Sequence, residues 1–183
     1  MAVDRDHVLR SAAALLTRKA TSTMDEVAKA AGISRATLHR HFAGRDALIR
    51  ALELHSIAEC ETALDAARLD EGTAVEAVHR LVRELEPAAA LLAFLYGENQ
   101  LFEDGGLNEG WAKVDERIAA LFRRGQLAGE FRIDLTPVWL TEALYGLLAS
   151  AVWMVQCGKG APKDFHHMTV ELLLGGALRR EDA

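Results

Sequence analysis

Thr23-Met24-Asp25-Glu26-Val27-Ala28-Lys29-Ala30-Ala31-Gly32-Ile33-Ser34-Arg35-Ala36-Thr37-Leu38-His39-Arg40-His41-Phe42 holds two helix starts and one tight turn. Thr23 with Glu26 three positions on has the spacing of a capping box, in which each side chain satisfies an orphan amide at the start of a helix. Val27, Ala28 and Ala31 then recur on one face. Gly32 suits a left-handed turn, and Ser34 can cap a second short helix through Arg35, Ala36, Thr37, Leu38, His39 and Arg40. Two short helices joined by a glycine turn make a helix-turn-helix. Ala28 and Ala31 allow close approach, while Ile33, Leu38 and Phe42 supply the bulk that sets the angle.

Working outward, Val8, Leu9, Ala12, Leu15 and Leu16 lay one apolar stripe along a preceding helix of about four turns. Downstream, a long helix runs from Gly44 through Ala47, Leu48, Ala51, Leu52 and Ile57 towards Leu69. Thr73 and Glu76 repeat the capping-box spacing, Pro87 breaks or kinks the helix that follows, and Ala88 to Tyr96 continues as an apolar one. Gly105-Gly106 marks a loop. Trp111 to Leu127 reads as a helix with Val114, Ile118, Leu121 and Phe122 inward. Thr136-Pro137 and Ala161-Pro162 open the last two helices, with proline where its missing donor costs little. The expectation is an all-α chain of about nine helices, because runs of β-branched and aromatic residues suited to strands are scarce. A head over residues 1–46 is expected to join, through the long helix, a larger helical domain over 47–183.

The formal charge of −6 hides a division. Residues 1–50 carry nine Lys/Arg against five Asp/Glu, whereas residues 51–183 carry twelve against twenty-two. A basic footprint confined to the head fits a polyanionic partner met by that end alone. Cys60 and Cys157 are the only cysteines and stand in no ligand-like spacing, so both read as reduced core thiols. No metal or cofactor is expected. Met1 to Asp6 lacks the apolar stretch of a signal peptide, and the run Ala143 to Val155 is short for a membrane span, which reads as a cytoplasmic protein without membrane contact.

From Val8 to Leu52 the chain resembles the TetR family of bacterial regulators. The residues that carry the resemblance are Ala12-Ala13, Leu15-Leu16, the stretch quoted above, and Arg45-Asp46-Ala47-Leu48. Leu16 stands where the family often has an aromatic, Ala20 where a glycine often ends the first helix, and His39 where a tyrosine often meets a phosphate. The resemblance implies a homodimeric, DNA-binding transcriptional repressor released from a palindromic operator by a small-molecule effector. Within the head, Arg35 suits a bidentate contact to a guanine edge, and Thr37 a base edge or phosphate. Thr23, Ser34, His39, Arg40, His41 and Arg45 are expected on phosphates, which position the protein without reading sequence. Ala36 belongs to the same DNA-binding surface.

The last two helices are apolar over more of their circumference than one buried face needs. The expected pairing surface comprises Leu144, Leu148, Ala151, Val152, Val155, Phe165, Met168, Leu172, Leu173 and Gly176, and the resemblance implies that its partner is a twin subunit, the pairs packing as a four-helix bundle. For the effector, Phe94, Tyr96, Phe102, Trp111, Trp139 and Tyr145 could line an apolar pocket with His79 and Glu142 as polar handles. An enzyme is not expected, since His166-His167, the acids and the serines show no nucleophile, metal or cofactor spacing. The alternative is a helical interaction module that has lost DNA binding.

Overall fold

The computed structural model describes residues 5–98, 101 and 108–178. Among these residues it is all-α, with nine α-helices and one isolated β-bridge between Phe131 and Leu178. The helices are α1 (Arg5–Leu16), α2 (Met24–Ala30), α3 (Arg35–His41), α4 (Arg45–Ala67), α5 (Ala74–Leu85), α6 (Ala89–Tyr96), α7 (Glu109–Leu127), α8 (Pro137–Gln156) and α9 (Phe165–Ala177). Short 3-10 turns, Glu86–Ala88 and Pro162–Asp164, precede α6 and α9. Pro87 therefore does end α5. Pro162 opens a 3-10 turn, and the final α-helix begins at Phe165.

The chain divides into two compact units, Met1–Ser56 with Leu91–Gly106, and Ile57–Ala90 with Leu107–Ala183. Where the sequence suggests one boundary at 46/47, this division falls inside α4. It also assigns the segment after Ala90 to the first unit.

In the first unit α1 packs on α2 and α2 on α3. Both starts read from the sequence are present. Thr23 Oγ1 accepts from the Glu26 amide while Glu26 Oε2 accepts from the Thr23 amide at 2.7 Å, and Ser34 Oγ accepts from the Thr37 amide at 3.1 Å. Between them Gly32 sits at φ +68°, where a side chain would be strained. Val8, Leu9, Ala12, Leu16, Val27, Ala28, Leu38, Phe42, Leu48 and Ile49 are buried. These few contacts fix α3 with its outer face uncovered.

In the second unit α7 packs against α5 and α8, and α9 against α5 and α8. Val114, Ile118, Leu121 and Phe122 are buried on α7 as their spacing predicts. The turn after α7 ties the unit together: the Glu130 carboxylate accepts from the amides of Ala74 and Val75, both at 3.1 Å, so it caps α5. Beside it Phe131 presses so closely on Gly125 that a Cβ there would lie 2.3 Å from the ring. Cys60 is a buried thiol, but Cys157 is exposed at the end of α8 and is not in the core.

Helix α8 is longer than its unbroken apolar run suggests. Thr141, Glu142 and Ser150 interrupt the run without lowering the average much, so Pro137–Gln156 is long and apolar enough, by length and composition, to cross a membrane. Only 28% of that apolar window is buried, which leaves most of it uncovered.

Candidate nucleic-acid interface

Helix α3 spans seven residues, about 10 Å at 1.5 Å per residue, a length that enters a major groove end to end. Ser34, Arg35, Ala36, His39 and Arg40 are exposed on it, and Thr37 and His41 are half-covered. Leu38 alone of the seven is fully buried and anchors the helix.

The hydroxyls of this surface are hydrogen-bonded within the head. Ser34 Oγ and Thr37 Oγ1 lie 2.9 Å apart, and the Arg40 guanidinium donates to Thr37 Oγ1 at 3.1 Å. Thr37 is thereby held between a cap and a cation. At the N-terminus of α3, Arg35 reaches back to the first turn of α2. Its Nη1 donates to Asp25 Oδ2 at 3.4 Å, and its Nε lies 3.3 Å from Oδ1. His39, Arg40 and His41 occupy the last turn, where the Arg40 charge also complements the helix dipole. The His41 ring leans on Phe42, with centroids 6.3 Å apart.

Thr23 is exposed, but its hydroxyl also donates to Glu26 Oε2 at 3.2 Å. A hydrogen bond from Lys19 at 2.6 Å, together with the Thr23 amide, holds the Glu26 carboxyl down at about 2. Thr23 thus has a structural role whether or not it also meets a phosphate.

Arg45, expected on a phosphate, has partners of its own within the head. Its guanidinium donates to Ser22 O at 3.2 Å and to Ala20 O at 2.9 Å, and it pairs with Glu98 at 3.3 Å while half-buried. Three acceptors take three of its five N–H donors, so it acts as a staple on the loop between α1 and α2. Nothing local in the sequence signals this, since Glu98 lies fifty-three positions away.

The expected effector residues scatter. Trp111 is buried, whereas Trp139 is 60% exposed on α8. In the first unit Phe94 is buried and Tyr96 exposed, and Phe102 lies outside the described residues. The backbone carbonyl of His79 lies 3.0 Å from His166 Nε2, and the two rings are 5.6 Å apart. Tyr145 is where polarity concentrates: its hydroxyl donates to Asp115 at 2.8 Å. Burial raises the Asp115 carboxyl, and Glu142 pushes it further in the same direction. Burial and the neighbouring Asp115 also keep the Tyr145 phenol protonated. Asp115 escapes sequence reasoning because an acid in a mixed helix reads as solvated surface.

The expected pairing surface divides in two. Leu144, Leu148, Ala151, Phe165 and Leu173 are buried inside the single chain and form its own core. Val152, Val155 and Met168 are partly open, Leu172 is 66% exposed and Gly176 is exposed. The correction has a simple cause, since a helix that is apolar all round does not say in sequence which side faces home. The open side also carries Trp153, 64% exposed, and Gly146 and Gly175, where an added Cβ would meet nothing. Among the described residues no group of three His, Cys, Asp or Glu side chains is placed to hold a metal.

Residues 8–52 match the model of bacterial regulatory proteins, tetR family. Over 174 residues, 94% of this chain and 93% of the relative, the sequence is 31% identical to the HTH-type transcriptional regulator NfxB of Pseudomonas aeruginosa. It is 28% identical over 160 residues, 87% of this chain and 79% of the relative, to the HTH-type transcriptional repressor LfrR of Mycolicibacterium smegmatis. The fold is similar to the crystal structure of the TetR-like regulator LfrR from Mycobacterium smegmatis in complex with proflavine. That similarity has a TM-score of 0.77 at 23% identity and covers 96% of this chain and 97% of the other.

Proposed function

The chain belongs to the TetR family of bacterial transcriptional regulators and is a DNA-binding regulator, and on that premise we propose that it is a homodimeric repressor reading a near-palindromic operator. The observation that carries the reading is Arg35. It stands exposed at the first position of a helix whose other outward groups are hydroxyls, a small residue and cations, and its one partner is an open surface carboxylate. A guanidinium so placed suits the O6 and N7 acceptors of guanine, with Thr37 beside it on a base edge or phosphate. Ser34, His39, Arg40 and His41 flank it as phosphate donors, with Thr23 at the start of α2. Arg45 contributes by holding the loop that sets the α2 start.

Two such heads are needed to span successive major grooves. The open faces of α8 and α9, with Trp153, Leu172 and the bare glycines 146, 175 and 176, supply the pairing surface for a second copy. Release from DNA is assigned to a small molecule held in the second unit, with Tyr145, Asp115 and Glu142 as its polar contacts. Such a ligand acts by preferring one spacing of the two heads. The protein works in the cytoplasm, where its operator is.

Selection of bound duplexes from a random pool tests the central point. The wild-type chain is expected to return a two-fold symmetric motif. Arg35→Ala is expected to lose preference at one base pair per half-site at a cost of about 1–3 kcal/mol. Equal losses on selected and random duplexes would reduce Arg35 to a phosphate contact.

A further inference from the structure

Among the described residues, Asp25 is the one carboxylate in direct contact with the cation assigned to base reading. Its side chain is 62% exposed and that of Arg35 69%, so the pair contributes little to stability. Nor does α2 need Asp25 as a cap, because Glu26 already completes the capping box with Thr23. An acid on the edge of a surface otherwise given to cations and hydroxyls makes any approach to phosphate less favourable. Asp25 also lies in the first turn of α2, where its charge favours the helix dipole, but the side chain it touches is Arg35.

We propose that Asp25 is a specificity-determining residue of the head, holding the Arg35 guanidinium away from phosphates and ready for a guanine edge. The inference rests on Arg35 being a base contact. On random DNA, Arg35 could leave Asp25 for a phosphate oxygen, but that exchange swaps one anion for another and leaves a carboxylate unpaired beside the backbone. The exchange gains little. At a guanine the situation differs, because a guanidinium has five N–H donors and Asp25 engages it at Nε and Nη1. Nη2 has no protein partner among the described residues, so donors remain for O6 and N7 while the carboxylate keeps its hold. Discrimination then comes partly from a repulsive element set against the wrong partner.

The test is selection from a random duplex pool with the full chain, comparing wild type, Asp25→Asn, Arg35→Ala and the double variant, alongside binding to one fixed random duplex. Asp25→Asn is expected to weaken preference about five- to tenfold at the same base pair that Arg35→Ala flattens. It is also expected to tighten binding to the random duplex about threefold. In the double variant Asp25→Asn should change that preference no further. Asp25→Glu, which restores the carboxylate, should recover the preference, and it separates a specificity effect from a folding defect. Unchanged preference in a folded Asp25→Asn variant overturns the proposal and leaves the reading of Arg35 standing. An Arg35→Ala variant that loses no base pair overturns both. Equal tightening on selected and random duplexes, with or without Arg35, makes Asp25 a general repulsive charge and also overturns the proposal.

Discussion

Helices α3 and α8 use their surfaces in opposite ways. On α3 one residue, Leu38, is fully buried, and the others present hydroxyls and cations whose geometry is set by bonds within the head. On α8 Leu140, Thr141, Leu144, Leu148 and Ala151 are buried while Val138, Trp139 and Trp153 lie open, so apolar residues stand on both sides. Polar chemistry declares its role through spacing, because a cap needs its partner three residues away and a glycine turn needs a positive φ. Apolar chemistry does not. A leucine is suited equally to its own core, to a twin or to a ligand wall.

The sharpest way to break this contrast is a pair of neighbours on α9 that look identical in sequence. Leu173 is buried in the chain's own core and Leu172 is open. Leu173→Ala is expected to destabilise the fold by about 2–5 kcal/mol, the usual cost of emptying a buried leucine site. Leu172→Glu is expected to leave the unfolding of the monomer nearly unchanged while converting a dimer to monomers in sedimentation. It should also abolish cooperative occupancy of a two-half-site duplex. Loss of fold in both, or of neither fold nor dimer in Leu172→Glu, would show that α9 presents no separate pairing face.

A smaller effect probes how the second unit fixes its turn. Gly125 lies in the last turn of α7 with the Phe131 ring and the Ala74 methyl closing over it. Gly125→Ala would improve helix propensity on an open surface, yet here the added methyl must displace an aromatic ring. The Glu130 carboxylate that caps α5 is held just beside that ring. The expected outcome is a net destabilisation of about 1–3 kcal/mol by overpacking, measured by denaturant unfolding. A stabilised variant would mean that Phe131 moves aside freely and that the cap does not depend on it.

How much of this was legible in the sequence follows the same line. Thr23 with Glu26, Gly32, Ser34, Thr73 with Glu76 and Thr136-Pro137 announce their elements because each acts on a backbone within three residues. The exposed cations of α3 could be named for the same reason. Arg45 could not, since its acceptors are two loop carbonyls and a glutamate far along the chain. Asp115 and Tyr145 are thirty residues apart and meet only through the packing of α7 on α8. Leu144, Leu148, Ala151, Phe165 and Leu173 were expected on the pairing face because their apolar character gives no direction.

The smallest expected effect tests whether the polar side of the contrast is purely local. Glu26 bridges the Lys19 ammonium, at 2.6 Å, and the Thr23 amide, at 2.7 Å, and its carboxyl is lowered from 4.5 to about 2. A carboxyl depressed by folding adds stability above its unfolded value and loses it as pH falls through the folded one. The window therefore runs from about pH 4.5 down to about pH 2. Protection of the Val27 and Ala28 amides against hydrogen exchange, taken relative to the intrinsic rate at each pH, should fall across that window in the wild-type chain as the bridge is protonated. In Glu26→Gln, protection at those amides should already be lower at pH 5 and should change less on acidification. The two chains should converge near pH 2. Because α2 sets the position of α3 through one turn, a head whose exchange responds to acid beyond these α2 amides would show that the cap is coupled to the recognition helix. Confinement of the response to α2 would show that each helix start is secured on its own.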